Sequence, residues 1–338
     1  MNTRVDQPRT PAGSPQGGEF ATKPGGAESQ LTLDTTTNPF RQRYDTMEEK
    51  LEAIQNELAD AVDRLSDDAE WTNYLDTMSK FHNYSAQNQL LIWIQKRDAT
   101  RVAGFNRWKQ VGRHVKAGER GLTILAPKVR VVDADKDDAG AFFDNRTNSW
   151  KRRFVSGFTT TSVFDISQTD GDPLPEGRRE LTLDPPEGLR QDLEDAITAE
   201  GFTIEYVESL GGANGATSPT HKTVQVLSTM SPADQVSTLA HELGHIKAGH
   251  LERMDEYHTG HGGARTQMEV EAESISYVLC RTNGMDVAGK GHHDRYISGW
   301  SGVGAGADEV KKASQTIQKT VASLLSERSW RNLDPVVG

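Results

Sequence analysis

The chain has one cysteine among its 338 residues, so no disulfide can form within it. That residue, Cys280, lies in an apolar stretch, and a buried, unreactive thiol is its expected state. No apolar run approaches the roughly eighteen residues that a membrane-spanning helix needs, and the N-terminus has no hydrophobic signal-peptide core. We therefore expect a cytoplasmic protein without a membrane partner.

The chain is not basic overall: its net charge of −11 argues against a protein that coats nucleic acid with its whole surface. The charge is unevenly distributed, however. Residues 95–130 contain ten lysines and arginines against two acidic residues, a local charge of +8 that leaves −19 for the rest. Such an asymmetry favours a polyanionic partner for this part of the chain.

The pentapeptide His-Glu-Leu-Gly-His is the most specific motif of the sequence. It lies in a stretch with helical periodicity, and Ser231 followed by Pro232 is typical of a helix start. On a helix, His241 and His245 share one face and can bind one Zn²⁺, while Glu242 lies beside the metal as a general base for a bound water. The alternative is a solvent-facing helix that carries two histidines by chance.

A zinc site needs a third protein ligand, which we expect on the helical segment at residues 267–279. Glu269 and Glu273 lie one turn apart there. We assign Glu269 as the third ligand and Glu273 as the hydrogen-bond partner of a ligand histidine. Glu271 points roughly 160–200° away from both, at about 100° per residue. The alternative is an acidic helix face that is merely solvated.

Other residues near the motif have less specific roles. Tyr277, His292 and His293 are candidates for stabilising a tetrahedral intermediate, and no pattern selects one of them. The remaining histidines are expected at the surface or in packing rather than as ligands. These histidines are His250, His258, His261, His292 and His293.

Composition and periodicity divide the chain into five segments. A tail rich in Pro, Gly, Ser, Thr and Gln is expected to be disordered, and a proline-rich linker separates two folded parts. The predicted segments are 1–43 (tail), 44–170 (first domain), 171–187 (linker), 188–330 (second domain) and 331–338 (tail).

The first domain is predicted to contain three helices and then strands, and the second an αββ unit followed by helices, so the fold class is α+β. The acid-rich segment 133–149 is interpreted as a hairpin tip or a mobile insertion, and 209–220 as a turn. The other predicted helices and strands are 47–65, 70–81, 85–95, 189–200 and 309–325, and 123–126, 129–133, 154–164, 203–207 and 223–227.

The first domain combines this basic window, residues 95–130, with aromatic residues. A cationic groove with stacking rings is the usual way to hold single-stranded nucleic acid. The same charges could instead form a solvated surface or a docking face for the acidic second half, and rings at helical spacing are often core residues.

Several blocks of the first domain resemble, in order, the N-terminal domain of ArdC-like antirestriction proteins. They are residues 82–92, AGFxxW at 103–108, VKxGExG at 115–121 with ILAP at 124–127, and 163–169. Two segments of the second domain, His241-Glu242-x-x-His245 and Glu269-x-x-Ala272-Glu273, are similar to the ImmA/IrrE peptidases. The resemblance covers about residues 44–170 and the zinc-site segments.

The resemblance implies a helical/β domain that binds single-stranded DNA, followed by an α+β gluzincin-like zinc metallopeptidase domain. In that family two histidines and a later glutamate hold the metal, which supports Glu269 as third ligand and Glu242 as base. Charge, rings and the resemblance together give the candidate DNA contacts, which are Tyr84, Asn88, Trp108, Arg113, Lys116 and Arg120.

The resulting hypothesis is a protein of a plasmid, phage or other mobile element that binds single-stranded DNA and carries a zinc peptidase, with a role in antirestriction or DNA protection. Three alternatives stay open. The zinc site could be structural and catalytically silent, the peptidase could cleave a repressor or a restriction component, or the protein could be a zinc-dependent transcriptional regulator.

Overall fold

The computed structural model describes residues 38–174, 181–259, 264–287, 306–327 and 330. Among these, the residues from 46 onward belong to one compact unit, and residues 38–45 belong to another. No helix in the described ranges is long and apolar enough to cross a membrane.

The helices are α1 (Met47–Arg64), α2 (Asp68–Lys80), α3 (Ala86–Gln95), α4 (Phe105–Gln110), α5 (Leu189–Ala199), α6 (Pro232–Lys247), α7 (Met254–Thr259), α8 (Ala264–Thr282) and α9 (Ala307–Glu327). The strands are β1 (Val102–Gly104), β2 (Arg113–Val115), β3 (Leu122–Asp133), β4 (Ala141–Asp144), β5 (Ser149–Asp165), β6 (Thr169–Gly171), β7 (Thr203–Val207), β8 (Gly215–Ser218) and β9 (Thr223–Leu227). Short 3₁₀ turns occur at Ile166–Gln168 and His250–Arg253. This mixture of helices and sheets confirms the predicted α+β class.

Helices α1 to α3 begin at residues whose side chains satisfy free backbone N–H groups. Thr46 forms a reciprocal capping box at the start of α1, and Asp67 and Ser85 cap α2 and α3. The helices bury large aromatic side chains between them, among which Trp71 and Trp93 have no exposed surface. The three predicted helices are confirmed to within two residues at each end.

Strand β5 is the central strand of an antiparallel sheet. Its Lys151 pairs with Asp133 of β3 and with Phe142 of β4, so β3 and β4 lie on opposite edges of β5, and β1 pairs further along. The two strands predicted at 123–126 and 129–133 are one strand, β3, because a bulge between Pro127 and Val129 breaks its alternation without ending it. The hairpin interpretation of the segment that follows is confirmed, since it contains β4.

The second half is built on a three-stranded sheet in the order β7-β9-β8. Strands β7 and β9 are parallel and end where the sequence predicts. The predicted turn at 209–220 is wrong for Gly215–Ser218, which forms β8, antiparallel to β9. Its small and polar residues carry no apolar alternation, so only pairing with the buried strand β9 reveals it. The predicted αββ unit is therefore αβββ.

Helix α6 begins at Ser231 with Pro232 in its first turn, as predicted. It crosses α8 at Gly244, and a Cβ placed on Gly244 would lie 3.0 Å from the carbonyl oxygen and 3.2 Å from the Cα of Ala272. A side chain at this position would press on the α8 backbone and push the two helices apart by a few tenths of an ångström. The crossing helps to set the position of α8 relative to the histidines of α6.

Helix α8 also packs against α2 of the first domain. The indole N–H of Trp71 donates to the Ser274 hydroxyl at 3.2 Å. Asp76 accepts a hydrogen bond from Tyr277 at 2.9 Å and pairs with Arg281 at 2.6 Å. These contacts join the two halves through a buried face of α8. Cys280 on the same helix is buried, as expected.

The described end of the predicted linker is also attached to this helix. Thr182 donates its N–H to the carbonyl of Gly284 at 3.0 Å and accepts from the N–H of Asp286 at 2.7 Å. Both partners follow α8 directly in the chain. This part of the segment is therefore held by backbone hydrogen bonds and does not act as a free spacer.

We expect Gly244→Val to destabilise the protein by about 1–3 kcal/mol, because overpacking at a close crossing forces the backbones apart. The measurement is the free energy of unfolding in urea. Ala199→Val is the matched control, since Ala199 ends α5 at an exposed position. Equal unfolding free energies for the two variants would contradict the role given to the crossing.

Candidate metal centre

Three side chains converge at the crossing of α6 and α8. His241 and His245 lie one turn apart on α6, and their Nε2 atoms are 3.0 Å from each other. The Glu269 carboxylate on α8 lies 3.4 Å from Nε2 of His241 and 3.8 Å from Nε2 of His245. Donors around one tetrahedral Zn²⁺, bound at about 2.0–2.1 Å, lie roughly 3.3 Å apart. The three donors therefore fit a single divalent cation, and within the described residues they are the group whose atoms meet this closely.

The charges of the cluster favour a cation at its centre. Burial opposes a charge on His241, but contacts with Glu269 and Glu273 outweigh it and hold the pKa of His241 well above its ordinary value. Burial likewise opposes ionisation of Glu269, but its contacts with both histidines hold its pKa far below the ordinary value. Burial lowers the pKa of His245. The ionised Glu269 carboxylate thus faces the two imidazoles, and a cation between these three groups would stabilise the negative charge.

Glu273 lies behind the first histidine. Its carboxylate is 2.9 Å from Nδ1 of His241, so it accepts that N–H and leaves Nε2 facing Glu269. The sequence assigned Glu273 as the hydrogen-bond partner of a ligand histidine, and the structure places its carboxylate against His241.

A second carboxylate lies behind the other histidine, through an intermediate ring. Nδ1 of His250 is 3.0 Å from Nδ1 of His245, and Nε2 of His250 is 2.9 Å from Glu271. His250 and Glu271 are 1% and 3% exposed. Sequence reasoning assigned His250 a surface or packing role and turned Glu271 away from the site. The Glu271 side chain does point away from Glu269, and the residue that it contacts there is His250.

The chain brings His250 back to the site through a local turn. Gly249 adopts a left-handed conformation with φ of 75°, which ends α6 and starts the 3₁₀ turn at His250–Arg253. A glycine directly after a helix and directly before a histidine was the signal in the sequence that could have indicated this return.

Glu242 is 7% exposed and is held from the neighbouring sheet. The hydroxyl of Thr217 on β8 donates to its carboxylate at 2.7 Å. A Cβ on Gly215 would lie 2.7 Å from the Glu242 carboxylate and 2.5 Å from the Thr238 methyl, so a glycine is required where β8 passes α6. Both residues fall in the segment predicted as a turn, and sequence reasoning missed them.

Tyr257 of α7 also reaches the cluster. Its hydroxyl donates to the Glu269 carboxylate at 2.6 Å, and its ring meets His245 edge-on with centroids 6.3 Å apart. Burial and the bond to Glu269 raise the pKa of Tyr257 to about 12, which keeps the phenol protonated. Of the residues considered for this side of the site, Tyr277 bonds Asp76 at the α2 contact instead. His261, His292 and His293 lie outside the described residues.

The candidate DNA contacts with rings or amides are engaged in the fold. Trp108 is fully buried and donates its indole N–H to the carbonyl of Phe164 at 2.9 Å, so as placed it cannot stack on a base, and its assignment as a DNA contact is corrected. Asn88 bridges the backbone N–H and carbonyl of Leu125 at 2.9 and 3.0 Å. Tyr84 is half-buried and donates to the Val102 carbonyl at 3.3 Å.

Two of the three cationic candidates are also bound locally. Arg113 donates to the carbonyl of Asp172 at 2.6 Å and to that of Thr169 at 3.0 Å, which fastens β2 to β6. Lys116 donates to the carbonyl of Ser167 at 3.0 Å. Arg120 is exposed. The structure thus places Arg113 and Lys116 at the small β2–β6 sheet, where Lys116 and Arg120 are exposed and Arg113 is half-buried.

Comparisons with known proteins match the two halves separately. Residues 41–164 match the model of the N-terminal domain of anti-restriction factor ArdC, and residues 199–281 match the model of the IrrE N-terminal-like domain of peptidase family M78. An uncharacterized protein from Bacillus anthracis is 24% identical over 308 residues, which covers 82% of this chain and 51% of that protein. This chain therefore spans about half the length of the curated relative it matches.

Crystal structures of the antirestriction ArdC protein from the R388 plasmid are also similar. The metal-free structure is 23% identical with a TM-score of 0.44, covering 72% of this chain and 84% of that chain. The Mn(II)-bound structure is 21% identical with a TM-score of 0.47, covering 80% and 97%. The two family models match in the order that the sequence resemblance predicts, with an ArdC-type N-terminal domain at residues 41–164 followed by an IrrE-like, peptidase-type domain at residues 199–281.

Proposed function

We propose that this chain is a zinc-dependent peptidase joined to a domain that binds single-stranded DNA, and that it protects mobile DNA in an antirestriction role. The observation that carries the peptidase part is the convergence of His241, His245 and Glu269, with the Glu242 carboxylate beside them. Two imidazoles and a carboxylate are a donor set typical of catalytic zinc, which leaves a position open for substrate.

Each protein group has a distinct part in peptide hydrolysis. His241, His245 and Glu269 would hold the zinc, which when bound would supply polarisation of the scissile carbonyl and acidification of water. Glu242 accepts the proton of the attacking water and transfers it to the leaving amine nitrogen. The Thr217 hydroxyl donates to one oxygen of Glu242 and so fixes the position of this carboxylate. Tyr257 fixes the orientation of Glu269 through its 2.6 Å hydrogen bond.

Strand β8 supports an extended polypeptide as the substrate. It is the last strand in the order β7-β9-β8, so within the described residues one of its backbone edges has no paired strand. The same strand holds Glu242 through Thr217. A peptide that adds to this edge as a further strand would pass beside the general base, with main-chain hydrogen bonds supplying sequence-tolerant binding.

The DNA-binding part rests on the match of residues 41–164 to the ArdC N-terminal domain and on the charge of the window at 95–130. A local charge of +8 in a chain of net charge −11 attracts phosphates to one part of the molecule. Substrate proteins assembled on single-stranded DNA would then be brought close to the peptidase site.

The variant Glu242→Gln tests the peptidase. We expect it to bind one zinc per chain, as the wild type does, and to lose at least about 10²-fold in hydrolysis, because the amide cannot accept a proton. The measurements are metal content by mass spectrometry and cleavage of fluorescein-labelled casein, with and without oligothymidylate. Zinc-loaded wild type that cleaves casein no faster than Glu242→Gln would contradict the peptidase and favour a silent metal site.

The contacts of His245 assign a positioning role to His250. A ligand histidine that binds metal through Nε2 carries its proton on Nδ1. In His245 that N–H donates to Nδ1 of His250, whose own Nε2–H donates to the Glu271 carboxylate. The chain of two rings and a carboxylate therefore fixes the tautomer of the second ligand, as Glu273 alone does for His241.

We expect His250→Ala to weaken zinc binding by about 10- to 100-fold, the usual effect of losing a partner behind a metal ligand. Affinity is measured by competition with a chromogenic chelator. His250→Gln is the partial rescue, because its amide oxygen still accepts from His245, and the exposed His221→Ala is the control. A folded His250→Ala with wild-type zinc affinity contradicts the positioning role.

A further inference from the structure

The exposed apolar surface of the described residues is concentrated on one part of the first domain. Six of the nine large exposed hydrophobic side chains lie on the outer ends of β3, β4 and β5. We call residues 127–133, 141–144 and 149–158 the outer ribbon. Its exposed apolar residues are Val129, Val131, Phe143, Phe154, Val155 and Phe158. A concentration of this kind marks an interaction surface.

One face of the outer ribbon combines cations with an open concavity. Partners across an antiparallel pair share a face, so Val131 lies beside Arg153, and Phe142 beside Lys151. The guanidinium of Arg153 lies over the Phe142 ring at 5.2 Å. These residues line a concavity of about 580 Å³, to which Arg146 also contributes. The face therefore presents the Phe142 ring and Arg153 side by side, while Lys151 pairs with Asp133 at 2.9 Å and Arg146 lies 3.8 Å from Asp144.

The opposite face repeats the combination. Phe154 lies across from Arg130, and Arg152 lies across from Val132. Phe154 is 42% exposed. Within the part of the chain that the structure describes, neither Arg130 nor Arg152 has an ion-pair partner. Their guanidinium groups are thus available to an anion from outside, unlike Arg113 and Lys116, which bind backbone carbonyls.

We propose that the outer ribbon is the surface on which this protein binds single-stranded DNA. Phosphates pair with Arg130 and Arg152, and unpaired bases stack on the exposed rings of Phe143 and Phe154. Exposed rings on a ribbon favour a single strand, because bases within a duplex present their edges and not their faces. This inference rests on the DNA binding proposed above and moves its location from the β2–β6 sheet to the ribbon.

Two ribbon variants separate the charges from the rings. Binding of fluorescein-labelled oligothymidylate is measured by anisotropy over a range of salt concentrations. Arg130→Gln/Arg152→Gln should bind more weakly and make the slope of log K against log salt shallower by about two, one for each lost phosphate contact. Phe143→Ala/Phe154→Ala should bind about tenfold more weakly with the salt slope unchanged, because a stacked base is lost and no charge is.

The control Lys311→Gln/Lys312→Gln removes the same charge from exposed positions on α9 and should bind like the wild type. Circular dichroism and thermal midpoints confirm that each variant is folded. Wild-type protein that does not bind oligothymidylate contradicts the proposed DNA-binding function itself. If the wild type binds and both ribbon variants bind equally well, DNA binding stands and the ribbon is the wrong surface. A duplex bound as tightly as the single strand overturns the stacking.

Discussion

The metal cluster depends on how closely α8 approaches α6. Donor atoms on two helices can surround one cation only if the helix axes come near each other, and the side chains at the crossing set that distance. Gly244 leaves this space to the backbone of Ala272, and Glu269 and Glu273 flank that contact on α8. A glycine inside a helix costs roughly 1 kcal/mol relative to alanine. Here that cost falls within the same pentapeptide that supplies both histidines of the candidate metal cluster.

The same helix joins the two family domains. Glu269 and Glu273 of α8 contact His241 of α6, and Glu271 contacts His250 of the 3₁₀ turn. Ser274, Tyr277 and Arg281 contact α2 at helical spacing. A buried helix of this length behaves as one rigid element, so its position is determined by both neighbours together. The ArdC-type domain therefore contributes to the placement of the metal site without supplying a ligand to it. This arrangement differs from two domains on a flexible tether.

The sequence was sufficient to predict which site residues share a face where those residues lie on a single helix. Spacing alone placed His241 and His245 on one face and Glu269 with Glu273 on another, because helical geometry converts residue number directly into direction. It failed where contacts join separate elements. The contact of Glu271 with His250 forms only because Gly249 adopts a left-handed conformation and returns the chain to the site. The hydrogen bond from Thr217 to Glu242 comes from a strand whose sequence shows no apolar alternation. Neither contact has a period that a linear pattern could reveal.

The basic window shows likewise that a binding surface cannot be identified from the local charge of the sequence alone. A run of lysines and arginines predicts a cationic region, but each charge can be engaged by the fold before any ligand arrives. Arg113 donates to backbone carbonyls at β6, and Trp108 is buried in the core. Two of the residues predicted to contact DNA therefore have structural roles. On the ribbon the reverse holds, since a strand exposed on both faces cannot bury its rings or pair its cations with the core. Exposure of rings and charges together, rather than local charge density, is therefore the property on which the proposal of a nucleic-acid surface in this fold rests.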